Sequence, residues 1–181
     1  MQVLTAALMG FLFVTGAITA DASSTPKIVT PEYTVGMTAY NATAAQTDSD
    51  PKITASGALS NPDVIAARSQ DLADELPFGT VIAIEAATSS PSCGYDRVGE
   101  IIGLRVIADS MNVKMKNKID IMLPQKETLP SGKTGNPAIV LGQCKDVTIE
   151  VVGHVDVASI PTTQSALAAA LGSSGEVASA K

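Results

Sequence analysis

Residues 145–156, KDVTIEVVGHVD, alternate with a period of two. Val147, Ile149, Val151 and Val155 fall on one face, and Thr148, Glu150, His154 and Asp156 on the other. Alternation of this kind marks a strand with one face in a core and one towards water; a helix would repeat its apolar residues every three or four positions. Shorter apolar runs recur along the chain: 33–41 (YTVGMTAYN, alternating Tyr33, Val35, Met37, Ala39), 63–67 (DVIAA), 80–87 (TVIAIEAA), 100–109 (EIIGLRVIAD), 118–123 (KIDIML) and 137–142 (PAIVLG). Gly, Pro and Ser clusters break them apart. The best helix is SQDLADEL, 69–76, with Ser69 as its cap and Leu72 and Leu76 on one face. Six or seven short strands and one short helix predict an all-β domain, a sandwich or a small barrel.

Aromatic residues are 3% of the 181, and tryptophan is absent, so the core is one of Ala, Val, Ile and Leu. The formal charge of −6 argues against a nucleic-acid partner, because phosphate binding needs a positive surface.

The first twenty residues, MQVLTAALMGFLFVTGAITA, contain no charged side chain, and Ala20-Asp21-Ala22 offers a small-x-small cleavage site. Residues 1–22 therefore read as a signal peptide, followed by a linker over 23–32. No stable membrane span is expected once it is removed. Export makes a disulfide between Cys93 and Cys144 the simplest account of two cysteines flanked by turn residues; two free thiols are the alternative. One histidine and two distant cysteines give no metal-ligand spacing, and no cofactor motif is present. SGKTGN, 131–136, fails as a phosphate loop because Glu127 stands where the leading glycine belongs. The Ala/Ser-rich segment 161–181 has room for one short helix but reads as a disordered tail.

One acid stands out. In KIDIML, Ile119, Ile121 and Leu123 share one face, while Asp120 shares the other with Met122. A face carrying Met122 is not simply water-facing, and a half-buried carboxylate needs a reason. Asp109, eleven positions earlier, closes the preceding apolar run. His154 reads as a surface or groove-edge residue, without the partners of a nucleophilic triad.

The segments VGMTAYN (35–41), TASG (54–57), VIAARSQDLADELPFGTVIAI (64–84) and ADSMNVKMKNKIDIML (108–123), in this order, resemble the 3D domains, named for three aspartates. The resemblance spans about 33–157. It implies a double-psi β-barrel over 33–160, six- to seven-stranded with one or two short helices. It is similar to the barrel domain of a membrane-bound lytic transglycosylase and to stationary-phase muralytic proteins. Asp109 matches the first aspartate of the family's glycine-rich motif and Asp120 the last, at the same spacing; the last is the family's general acid/base. Asp71 is the candidate counterpart of the remaining aspartate. Thr38, Tyr40, Thr54 and Gly57 match motifs lining the groove. The glycine-rich loop itself is replaced by Ser110 to Asn117, which puts Asn112 and Lys114 beside the substrate. The implied function is cleavage of peptidoglycan glycan strands by aspartate acid/base catalysis, without a cofactor, in the periplasm or cell envelope, with outer-membrane association left open. The alternative is a non-catalytic wall-binding or expansin-like barrel that kept the fold and lost the chemistry.

Overall fold

The computed structural model describes residues 30–47 and 50–177. The signal-peptide reading, and the linker up to residue 29, lie outside the described residues. Six strands close a mixed barrel: β1 (Glu32–Tyr40), β2 (Ile65–Arg68), β3 (Thr80–Ala86), β4 (Arg105–Ser110), β5 (Lys118–Met122) and, numbered in chain order, β8 (Cys144–His154). Around the barrel they run β1, β5, β2, β4, β3, β8 and back to β1. The β1·β5 and β2·β4 pairs are parallel and the other four are antiparallel. β6 (Glu127–Thr128) and β7 (Thr134–Gly135) make a small hairpin closed by residues 129–133, so SGKTGN supplies part of its turn and then β7 itself.

The alternation seen in the sequence sets the core. Val35 and Met37 of β1, Ile119 and Ile121 of β5, and Val147 and Ile149 of β8 are all buried in one cluster. The opposite face of β5 is covered as well: Met122 is buried in a second cluster with Tyr40, Ala67, Val106 and Leu167. Asp120 thus lies in a strand with apolar packing on both sides.

Arg105 is fully buried without a carboxylate contact among the described residues. Its guanidinium donates to the carbonyls of Ile102 (2.6 Å), Pro62 (2.6 Å), Met122 (3.1 Å) and Ile101 (3.3 Å). It ties three segments together at one end of the barrel, and burial draws its pKa down to about 10.

Three sequence expectations differ from the structure. SQDLADEL forms only a 3-10 turn at Gln70–Leu72, although Leu72 and Leu76 are buried as expected. Ser69 makes no side-chain cap; it is buried, and its hydroxyl accepts from the Lys118 N–H (3.0 Å), holding the start of β5. PAIVLG is not a strand but a short helix, α2 (Pro137–Leu141). Asn136 caps it and Pro137 takes the first turn, where a missing N–H costs nothing. Another single-turn helix, α1 (Tyr95–Val98), follows Cys93. Cys93 and Cys144 are bonded, so the disulfide fastens the α1 loop to the first residue of β8.

The segment read as a disordered tail folds into a helix, α3 (Gln164–Val177). Gln164 clamps the Leu104 backbone, accepting from its N–H and donating to its C=O, both at 2.9 Å. Leu167 is fully buried, and Leu171 lies so close to Gly153 of β8 that any Cβ there would collide with it. Two leucines a helical turn apart are enough to dock a helix that is otherwise mostly Ala, Ser and Gly. No helix among the described residues is long and apolar enough to cross a membrane.

Candidate functional site

Asp120 is paired on both sides. Across β1 it faces Thr38, and across β2 it faces Ala67. Ala67 in turn faces Asp109 on β4. One row therefore reads Thr38, Asp120, Ala67, Asp109 over four adjacent strands. The two acids are two inter-strand steps apart, about 9–10 Å between Cα atoms.

A bulge aims Asp109 into this row. Ala66 pairs with Ile107, but Ala67 pairs with Asp109, so Ala108 is an extra residue in β4. In a regular strand Asp109 would share the side of Ile107, which is buried in the barrel cluster. The extra residue turns it to the side of Ala67 instead, as bulges beside functional sites do.

Both acids are held by named donors. The Thr38 hydroxyl donates to Asp120 Oδ1 at 2.7 Å. Asp109 accepts from the Tyr40 hydroxyl at Oδ2 (2.7 Å), and from the N–H groups of Ala55 and Ser110 at Oδ1 (2.9 Å each). Among the described residues neither acid has a basic nitrogen within 4.0 Å. Burial lifts the Asp120 carboxyl to about 6, and the Asp109 charge adds to the rise; the Thr38 hydroxyl and Lys118 oppose it. Burial and Asp109 together push the Tyr40 phenol far up, so it remains a donor.

The row opens into a cavity of about 530 Å³, within the usual range for small-molecule sites. Its floor holds Asp109, Asp120, Tyr40 and Ala67. Because Ala67 ends at Cβ, the space between the acids stays open.

The remaining candidates separate into two groups. Asn112 lines the cavity, whereas the Lys114 side chain is exposed outside it. Thr54 and Gly57 do not line it either. They build the turn that presents Ala55: Gly57 has φ +87° and donates to the Thr54 carbonyl, while the Thr54 hydroxyl donates to the Ala58 carbonyl. Gly57 borders a different hollow, of about 270 Å³, against residues 157–162.

Asp71 is also away from the cavity. It is exposed and accepts from the Asn117 N–H at 2.9 Å, and the Ser69 hydroxyl and that N–H hold its carboxyl below the ordinary value. Asn117 sits in the left-handed region at φ 48°, where the 111–117 loop re-enters β5, so Asp71 fixes the exit of that loop. His154 is exposed at the end of β8.

Sequence reasoning missed Ala55, which contributes only a main-chain N–H and so leaves no side-chain signal. It also missed Gln46, Thr47 and Ile53, which line the cavity together with Met111 and Met115 of the loop that replaces the glycines. Among the described residues no group of three or more His, Cys, Asp or Glu side chains gathers as a metal site would require. No protein-family model matches this chain, and no curated protein matches it.

Proposed function

We propose that this chain is an exported, lytic-transglycosylase-like enzyme that cuts peptidoglycan glycan strands on a 3D-type double-psi barrel, with Asp120 as general acid and base. The observation that carries the reading is Asp120 itself: a carboxyl lifted to about 6 by burial, open to a cavity, with a second acid across Ala67. Such a group holds a proton near neutrality and can still give it up. The two parallel pairs and the long connections that cross the barrel support the double-psi topology. The Cys93–Cys144 bond supports export to an oxidising compartment.

The reaction needs one acid twice. Protonated Asp120 gives its proton to the glycosidic oxygen as the C1–O bond breaks and positive charge develops at C1. The muramic C6 hydroxyl then bonds to C1, and its proton returns to Asp120. No water is consumed, and Asp120 ends as it began. Asp109, fixed by three donors, supplies negative charge across the gap as C1 becomes cationic.

Incubating the protein with purified sacculi tests this. Muropeptides ending in 1,6-anhydromuramic acid are the expected product; reducing ends instead would mean hydrolysis. The wall-binding alternative draws on one observation. The loop over the site carries Met111, Lys114, Met115 and Lys116, not the glycines that let a glycan backbone approach closely. Co-sedimentation with sacculi and no released product would favour that reading.

A further inference from the structure

Five large apolar side chains are exposed among the described residues, and four of them stand around the mouth of the cavity. Ile53 (40% exposed) and Met115 (41%) line it. Leu59 (73%) is bridged to Ile53, and Val113 (58%) lies between the lining residues Asn112 and Met115. Scattered exposed aliphatics need no explanation, but a group gathered at one rim does. Both turns that carry them are internally bonded. In the first, the Thr54 N–H donates to the Ala58 carbonyl (2.9 Å), the Ser60 N–H to the Lys52 carbonyl (2.8 Å) and the Ser56 N–H to the Ala108 carbonyl of β4 (3.1 Å). In the second, the Lys114 N–H donates to Asn112 Oδ1 (3.0 Å) and the Met115 N–H to the Asn112 carbonyl (2.8 Å). The backbone thus holds these tips in water.

Lysines alternate with them. Lys52 precedes Ile53, and Lys114 and Lys116 flank Met115; all three are exposed, and none forms an ion pair among the described residues. Two exposed acids are near, each bound to main chain: Asp50 accepts from the Lys52 N–H and Asp71 from the Asn117 N–H. Positive charge therefore collects at this rim on a chain whose formal charge is −6. Lysine is depleted at protein–protein interfaces. Beside exposed aliphatic side chains it suits the boundary between water and an anionic bilayer, where the tips insert and the ammonium groups stay among the headgroups. We infer that the rim of the cavity docks the barrel onto an anionic lipid surface. Ile53, Leu59, Val113 and Met115 enter the headgroup region, and Lys52, Lys114 and Lys116 meet its phosphates. The contact is made by the barrel itself and does not depend on glycan cleavage by the acids.

Flotation with vesicles tests this surface. The chain from residue 23 keeps every described residue and lacks the apolar first twenty, which would bind lipid themselves. It should float with vesicles of phosphatidylglycerol and phosphatidylcholine in equal parts, at least about tenfold more tightly than with phosphatidylcholine alone. Binding should weaken as salt rises. Lys114→Gln, Lys116→Gln, Leu59→Asn and Val113→Asn should each weaken it about fivefold. These positions are exposed, so thermal midpoints should not move. The apolar pair separates docking from simple charge attraction: binding that ignores Leu59→Asn and Val113→Asn would overturn the inference. So would absence of flotation, or equal binding to both kinds of vesicle. A concentration-dependent dimer that these two substitutions abolish, without flotation, would give the rim to a second copy of the chain instead.

Discussion

Asp109 and Asp120 have the same residue as their strand partner: Ala67 of β2 faces Asp109 on one side and Asp120 on the other. The two carboxylates are near enough to influence each other, and of the strand positions between them only Ala67 intervenes. The expectations below follow from that arrangement and from the way the barrel is fastened.

Asp120→Asn should stabilise the protein at neutral pH. The Asp120 carboxyl rises from 3.8 to about 6 on folding. The folded state therefore holds more protons than the unfolded state between those values. Stability from this group is full below about pH 4 and is lost as pH rises through 6. Two units correspond to about 3 kcal/mol, an upper bound on the gain at pH 7.5. Asn still accepts from Thr38. Urea unfolding at pH 3.5 and 7.5 should show a gain only at the higher pH, and an equal effect at both would contradict the assignment.

The same group sets the activity profile. In the proposed mechanism the first step requires protonated Asp120, so kcat/KM should fall about tenfold per pH unit above about 6. Asp120→Asn should lose about 10²–10⁴-fold in rate below about pH 6, and the gap to wild type should narrow as pH rises. A rate constant that stays level from pH 5 to 8 would remove Asp120 from the proton-transfer steps.

Ala67→Leu should fill the space between the acids. Ala67 is 3% exposed and lines the cavity floor. Release of muropeptides should drop at least about tenfold, while overpacking costs roughly 1–3 kcal/mol of stability. A folded Ala67→Leu variant with unchanged release would show that substrate does not enter between Asp109 and Asp120.

Cys93 and Cys144 are 51 positions apart. Replacing both by Ser should cost about 4 kcal/mol on the chain-entropy estimate. Denaturant midpoints of the variant and of reduced wild type should agree, and a loss below about 1 kcal/mol would show that the connection contributes little.

Leu167→Ala should cost about 2–4 kcal/mol, since it empties a fully buried site on the barrel wall. Ending the chain at Thr162 should lower the thermal midpoint further, because it also removes the Gln164 clamp on Leu104. An unchanged midpoint would return the segment to the status of a passive tail.

The strands were legible where one residue type repeated on one face. β8 and β5 could be read directly, and Met122 beside Asp120 already indicated packing on both faces. α2 was not legible as a helix, because five residues of Pro, Ala, Ile, Val and Leu carry no period; the signal lay in Asn136-Pro137, a cap followed by a residue suited to the first turn. α3 was misjudged from composition, although docking needed only Leu167 and Leu171 at the right spacing. Asp109 and Asp120 could be found by spacing, but not the bulge at Ala108 that aims Asp109, since strand register is not written in any single residue. Asp71 occupied a suggestive place in the order of motifs, yet its carboxylate serves the Asn117 N–H outside the cavity.

The barrel's closing seam has a consequence for timing. β1 pairs with β8, placing Tyr33 opposite Ile149 and Val35 opposite Val147. The first strand to emerge from the ribosome thus lacks one of its two neighbours until nearly the whole domain has been synthesised. Contacts this distant in sequence slow folding, so a nascent chain of this topology should stay pliable for most of its synthesis. Thr38 belongs to that first strand, so the proton-bearing end of the acid row is secured only when the last strand arrives.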